Sequence, residues 1–215
     1  MTVTAQLSVD ELLTTTRAVR RKLDFDRPVP RAVLHECFEL ALQAPTASNL
    51  ALAGFLVVES AGRRRALAEI YRRAVEIYRQ DPASAGNTPT GDPVRDATQR
   101  RVRRSVEHLA EHLHRVPALV VPCLLAPTDG TRATEATFLA SVIPAAWSFC
   151  LAARSRGLGT AWTTLHLLFE REAADILDIP YDTVRQLALI PVAHTTATRF
   201  GRAARPSVDS VVSFR

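Results

Sequence analysis

Lysine is nearly missing from this chain. Lys22 is the only one, so almost all of the 27 basic residues are arginine. A formal charge of +5 scattered over 215 residues gives no basic stripe and no footprint for nucleic acid. A high-GC coding bias, which writes Arg and Ala for Lys and Ser, accounts for most of it. Cysteine is also scarce. Cys37, Cys123 and Cys150 are odd in number, lack metal-type spacing and sit in apolar runs. They read as reduced core thiols of a cytoplasmic protein. The chain has no Gly-x-Gly-x-x-Gly, no Walker loop, no Gly-x-Ser-x-Gly and no Cys-x-x-Cys. A nucleotide held in the usual Rossmann or P-loop manner is not expected. The longest apolar run, about 139–153, is broken by Ser141, Pro144 and Ser148 and reads as too short to span a bilayer. The N-terminus is polar and reaches a helix cap at once, so no signal peptide is expected.

What is present suffices for one domain, 1–215, with a sizeable core. Ser8 and Glu11 form a capping box, and a helix is expected from there to about Lys22. Pro28 and Pro30 break the chain. Val33, Leu34, Cys37, Phe38 and Ala41 then lie on one helical stripe. A short apolar strand is expected from Gly54 to Glu59 and a long basic helix from Ala61 to Gln80. Residues 81–93, "DPASAGNTPTGDP", read as a mobile loop before a helix over 95–115. Strands are expected at 118–126, 160–166 and 184–194, and a helix from about Phe169 to Leu177. Residues 133–156 form a helix that is apolar almost all the way round and must be covered on every side. Helices cluster and strands lie far apart in sequence, which points to an α+β class.

Two constellations could carry chemistry. His108-Leu109-Ala110-Glu111-His112 puts two imidazoles on one helix face beside a carboxylate, as in inverted zinc proteases. A solvated Arg- and Glu-rich helix that contains histidines explains the pattern as well. The zinc hydrolase is kept as an alternative, and no metal is assigned to the favoured reading. The second constellation is dispersed. It comprises Arg17-Ala18-Val19-Arg20-Arg21, Pro45-Thr46-Ala47-Ser48-Asn49, Gly157-Leu158-Gly159-Thr160 and Phe200-Gly201-Arg202-Ala203-Ala204-Arg205. These are two Arg clusters, which suit a phosphate, and two loops of small residues with free backbone donors, which suit a flat ring with hydrogen-bond acceptors.

In this order the motifs resemble the nitroreductase family of FMN-dependent oxidoreductases. The resemblance runs from "TTRAVRRKLDFDRPVPRAVLHECFELALQAPTASN" through "LAEHLHRVPALVVPC" and "SVIPAAWSFCLAARSRGLGTAWTTLH" to "PSVDSVV". It implies an α+β sandwich with a central, mostly antiparallel sheet flanked by helices, assembled as an intertwined homodimer. FMN would sit at the subunit interface, helix 133–156 would be the dimer core, and the tail 195–215 would cross to the partner. Arg17, Ala18 and Arg20 match the first phosphate motif, and Arg202 or Arg205 the basic residue that closes on the same phosphate. Pro45, Thr46, Ala47 and Asn49 match the loop along the isoalloxazine and ribityl chain. Leu158, Gly159 and Thr160 match a turn whose backbone faces the ring.

The implied reaction is ping-pong. Electrons pass from NAD(P)H to the flavin and then to a small electrophilic or aromatic substrate. A helix-loop-helix lid over about 72–104, with Tyr71 and Tyr78 on its first helix, would set substrate preference. No membrane or nucleic-acid partner is implied. The sequence departs from the family at Ala18, at Ala51-Leu52-Ala53-Gly54 (where Gln and Trp are usual) and at Gly201. These losses imply a flavin pocket enlarged near residue 53. They also imply a second reading, a diverged member that binds FMN weakly and uses the pocket for another ligand.

Overall fold

Ala118–Leu124 (β3) is apolar at every position, and all seven residues are buried. Such a strand belongs at the centre of a sheet covered on both faces. In the computed structural model, which describes residues 7–215, β3 occupies that place. It pairs antiparallel with Ala53–Val58 (β2) from Ala53↔Leu124 to Val58↔Leu119. On its other side it pairs antiparallel with Ile190–Thr195 (β6), Ala118↔Val192 to Val120↔Ile190. Leu23–Asp24 (β1) and Leu158–Thr160 (β4) add to β6, and Arg185–Gln186 (β5) adds to β3, all antiparallel. The expected segment 184–194 is thus two strands. Pro122 explains the break. Its carbonyl accepts from the Leu187 N–H at 2.9 Å, so its backbone faces that side but brings no donor of its own.

Alternation along the strands sorts the core into two layers. Ala118, Val120, Ile190 and Val192 face Arg31–Ala41 (α2) and Arg132–Ser155 (α5). Leu119, Val121, Cys123, Leu189 and Ala193 face Ala61–Gln80 (α3), Pro93–His112 (α4) and Glu170–Leu177 (α6). Ser60, Asp92 and Thr131 cap α3, α4 and α5 with side-chain oxygens, and Pro93 sits at the first turn of α4.

The first helix, Val9–Thr15 (α1), has the expected capping box, with Ser8 Oγ accepting from the Glu11 N–H at 3.2 Å and Glu11 Oε2 accepting from the Ser8 N–H at 2.9 Å. It stops well short of Lys22. The hydroxyls of Thr14, Thr15 and Thr16 bond back to the carbonyls of Asp10, Glu11 and Leu12, and the chain turns extended at Thr16. The polar leader, residues 1–6, lies outside the described residues. The strand expected over 160–166 ends at Thr160. A single bridge, Thr163↔Leu189, follows, and then a 3₁₀ turn from Leu165 to Phe169.

Helix α5 is 24 residues long and by length and composition could cross a membrane, so the expected run of about 139–153 undercounts it. In the fold its Val142, Ala145, Ala146, Phe149, Cys150 and Ala153 form a buried i, i+3, i+4 stripe. Ala136, Ala140, Ile143 and Trp147 form a second stripe that stays exposed, and Pro144 lies within the helix.

His166 is 0 % exposed, and neither ring nitrogen has a hydrogen-bond partner. Burial, opposed by neighbouring Gln186, pushes its pKa down to about 4. The unfolded chain binds a proton near 6.5 that the folded chain refuses until about 4. Stability is therefore full above about pH 6.5 and falls through that window by about 3 kcal/mol. We expect urea titrations of His166→Leu to show a shallower loss between pH 6.5 and 4 than the parent chain. Equal slopes would contradict the assignment.

Candidate functional site

The segment Arg17–Arg20 is laid against the sheet. Ala18 bridges to Thr160 in parallel, and the Val19 N–H donates to the Thr160 carbonyl at 2.7 Å. This carries the Arg17 guanidinium to the C-terminal segment and that of Arg20 to α4. Arg17 Nη1 donates to the Gly201 carbonyl at 3.4 Å, and Arg20 Nη1 to Ser105 Oγ at 3.4 Å. Both contacts are long. Arg20 Nε is buried and has no partner. Arg31, Arg73, Arg115 and Arg185 all have carboxylates within 3.1 Å. Among the described residues no ion pair involves Arg17, Arg20, Arg202 or Arg205. A buried Nε–H without an acceptor is costly, and phosphate or carboxylate is the natural partner of a guanidinium.

A third arginine joins them that the sequence reading passed over. Arg154, in the last turn of α5, places its guanidinium carbon 4.0 Å from the Phe200 ring centre. Its Nε is buried and unpartnered, and burial pushes its pKa down. Arg154 and Arg17 thus contact the consecutive residues Phe200 and Gly201. It is the one charged residue of α5 after Glu135, and that was the signal for it. Arg202 and Arg205 are exposed, and Arg205 donates only to the Ala204 carbonyl, at 3.2 Å.

Leu158, Gly159 and Thr160 are not the turn expected of them. They form β4, buried and paired with β6 through Leu158↔His194, Gly159↔Ala193 and Thr160↔Val192. Open space begins just beyond. Trp162 and Thr164 line a cleft of about 440 Å³ with Leu139, Ile143, Arg185 and Leu187.

Pro45-Thr46-Ala47-Ser48-Asn49 lies elsewhere. Ala47–Asn49 is one 3₁₀ turn, with Ser48 and Asn49 left-handed at φ 50° and 57°. The Ala47 N–H donates to Ser141 Oγ of α5 at 2.9 Å. Ser141 and Arg154 are thirteen residues apart on one helix, about 20 Å at 1.5 Å per residue. One chain therefore does not bring the loop and the arginines together. In the stretch 50–54, Leu50 and Ala51 are exposed and the rest packs on the sheet. Ala53 enters β2 and packs with Leu52, Leu124 and Val142, and a Cβ on Gly54 would meet Leu125 Cδ2 at 2.8 Å.

A model of the nitroreductase family matches residues 13–194. The chain belongs to the nitroreductase family. Its fold agrees with solved structures. Over 97% of this chain and 99% of the other it is similar to the FMN and NADPH-dependent nitroreductase NfnB from Sphigopyxis sp. strain HMH, at 18% identity and TM-score 0.71. Oxidised iodotyrosine deiodinase bound to FMN and 3-iodo-L-tyrosine matches over 96% of this chain and 100% of that one, at 18% identity and TM-score 0.72. A nitroreductase-like family protein from Bacillus cereus matches over 97% and 96%, at 17% identity and TM-score 0.68. No curated protein matches the sequence.

In this nitroreductase-family chain the two tyrosines of α3 differ in setting, Tyr71 buried and Tyr78 half-buried. Tyr71 is 0 % exposed in the core, and its hydroxyl meets Thr163 Oγ1 at 3.2 Å. The Tyr78 hydroxyl accepts from the Ala85 N–H at 2.9 Å. The loop between α3 and α4 is tied down as well. Asn87 Nδ2 donates to the carbonyls of Tyr78, Arg79 and Asp81 at 2.7–3.1 Å, and Arg103 Nη1 donates to Asn87 Oδ1 at 3.2 Å. His108, Glu111 and His112 do converge on α4. As the centre of a zinc hydrolase they have lost their ground, because the family is an oxidoreductase family.

Gly159 has a role in packing. A Cβ there would lie 2.9 Å from Val19 Cγ1 and 3.0 Å from Leu23 Cδ2, both core side chains. Gly159→Ala should destabilise the protein by about 1–3 kcal/mol through overpacking. It should also loosen Arg17 and Arg20 from the sheet. Thermal denaturation checks the first outcome and phosphate affinity the second; a variant as stable as the parent would overturn both.

Proposed function

We propose that this chain is an FMN-dependent oxidoreductase that works as a homodimer in the cytoplasm. The observation that supports it best is the set of uncompensated arginines. Among the described residues Arg17, Arg20 and Arg154 have no carboxylate partner, and two of them carry buried Nε atoms without an acceptor. That set fits the phosphate of FMN. The solved relatives bound to FMN or described as FMN-dependent support the same cofactor. FMN, when bound, would supply hydride acceptance from NAD(P)H and delivery to a second, small electrophilic or aromatic substrate. The protein's share is to anchor the phosphate, orient the ring and restrict water. Trp162 and Thr164 share with Ile143, Glu170 and Arg185 a cleft that would suit a small substrate. Ile143 stands eleven residues from Arg154 on α5, about 16 Å, so the ring of an FMN held by the same chain's arginines is not assigned to it.

Arg20→Ala should lower FMN affinity by roughly 10–150-fold, the loss of one charge-assisted contact of about 1.5–3 kcal/mol, with the fold retained. Fluorescence titration of the apo protein with FMN measures this. Unchanged affinity in Arg20→Ala and Arg154→Ala sinks the anchor, and a chain that never acquires yellow flavin absorbance sinks the function.

The dimer rests on two exposed apolar surfaces. Ile143 and Trp147 on the outer stripe of α5 are 44 % and 42 % exposed, and Phe214 in the tail is 97 % exposed. The chain stays on its own body through Thr196, which bonds to Lys22, and Phe200, which packs on the core. Of the tail expected to cross over 195–215, the part free to reach a partner in our reading is the part after Gly201. A second copy also brings its Pro45–Asn49 loop, which one chain holds about 20 Å from its own arginines. Trp147→Glu should shift sedimentation from dimer to monomer at micromolar concentration and lower FMN content in parallel. A dimer as tight as the parent's would refute this seam.

One observation favours a second reading. The Ala47 N–H is already bonded to Ser141, and the β4 backbone is already paired, so two sets of ring contacts implied by the family are occupied. In that reading the chain is a diverged member that keeps the anion grip and binds a different phosphorylated ligand. Competition of inorganic phosphate and FMN for the same arginines separates the two, since only FMN gains from the ring side.

A further inference from the structure

We propose that His108, Glu111 and His112 form a binding site for a divalent cation of the zinc class, on α4 and separate from the flavin site. The proposal is independent of the flavin reading. The three residues stand at i, i+3 and i+4, and one ligand atom from each lies within 4.8 Å of the other two. The two imidazole rings are neighbours, with centres 4.4 Å apart and planes inclined by 27°.

Each ring has a nitrogen left over. His112 Nδ1 lies 2.9 Å from the His108 carbonyl oxygen. A carbonyl can only accept, so Nδ1 carries the proton and Nε2 carries the lone pair. Metal-binding histidines are commonly oriented this way, with the second nitrogen donating to a backbone carbonyl. His108 Nε2 is buried and has no hydrogen-bond partner. A buried polar atom without a partner calls for one.

The surroundings hold the rings in place. Phe25, which follows β1, stacks on His112 with centres 5.5 Å apart and planes 4° from parallel, and reaches His108 at 6.3 Å. Arg115 lies over Phe25 at 5.2 Å, but Asp26 engages it at 3.1 Å. Glu111 supplies the negative charge. Its carboxylate is exposed and 3.8 Å from His112 Nδ1, with no stronger partner among the described residues. Two imidazoles and one carboxylate suit Zn²⁺ or Co²⁺ over the oxygen-seeking Mg²⁺ and Ca²⁺, and positions remain for water. Ser105, three residues before His108, is the residue that Arg20 contacts. A bound cation would therefore stiffen the part of α4 that faces the phosphate anchors.

The test is zinc binding to the full chain as purified and treated with EDTA, followed by calorimetry with zinc chloride. One zinc per chain is expected. His108→Ala and His112→Ala should each weaken it by more than about tenfold, and Glu111→Gln by about tenfold. His35→Ala should change nothing, although His35 also pairs with a glutamate at i+4, Glu39 at 3.3 Å. Because His108 is half-buried and its variant could lose stability, a second measurement uses the parent alone. Its thermal midpoint should rise in zinc and return in EDTA. Zinc bound equally by the parent and the double His variant overturns the proposal, and so does a parent midpoint that zinc leaves unmoved.

Discussion

The hydrogen bond from the Val19 N–H to the Thr160 carbonyl holds the site together. It fastens an otherwise irregular segment to the edge of a buried sheet. Val19 and Leu23 then fill the space that Gly159 leaves open, and Arg17 and Arg20 are carried on the same short piece of chain. Everything the arginines do depends on that seating, because neither has a carboxylate to fix it. The sheet supplies position and the missing anion supplies the demand for a ligand. The two are coupled, since a segment held by few bonds is stiffened most by whatever fills its empty valences.

The fold was largely legible because its signals are strong and local. A strand apolar at every position, a helix with an amphipathic stripe and the capping box of Ser8 and Glu11 each speak through period and end chemistry. Residues Ala61 and Gln80 delimit α3 as expected. The misses share a cause, which is that tertiary pairing overrode local pattern. Thr14 to Thr16 end α1 with hydroxyls that no apolar stripe reveals. Pro122 splits the last strand from across the sheet. β1 is two residues long and exists only because β6 offers an edge.

The site was legible as a set of residue types and not as a geometry. Arg17 and Arg20 were marked by charge density, and they are among the arginines that no ion pair of the described residues involves. Arg154 was hidden because an apolar helix draws attention to its hydrophobic face. The family resemblance gave Leu158 to Thr160 as a turn, yet they form a strand in which Gly159 is small for Val19 and Leu23. Tyr71 and Tyr78 were placed on a lid by their spacing of seven, which a core-facing helix also produces. Residue spacing gives the face of a helix but does not say what lies opposite.

Pro144 gives the outer face of α5 a property its side chains lack. A proline in a helix brings no N–H, so the bond to the carbonyl four residues earlier is not made. That carbonyl belongs to Ala140, on the exposed stripe with Ile143 and Trp147. A seam of methyl and indole groups tolerates sliding, since dispersion is nearly indifferent to small shifts along an axis. One open acceptor in the middle of it is not indifferent. In the dimer proposed above, a donor from the partner would meet it at one axial offset only, so a single absent hydrogen would let this face distinguish position as well as polarity.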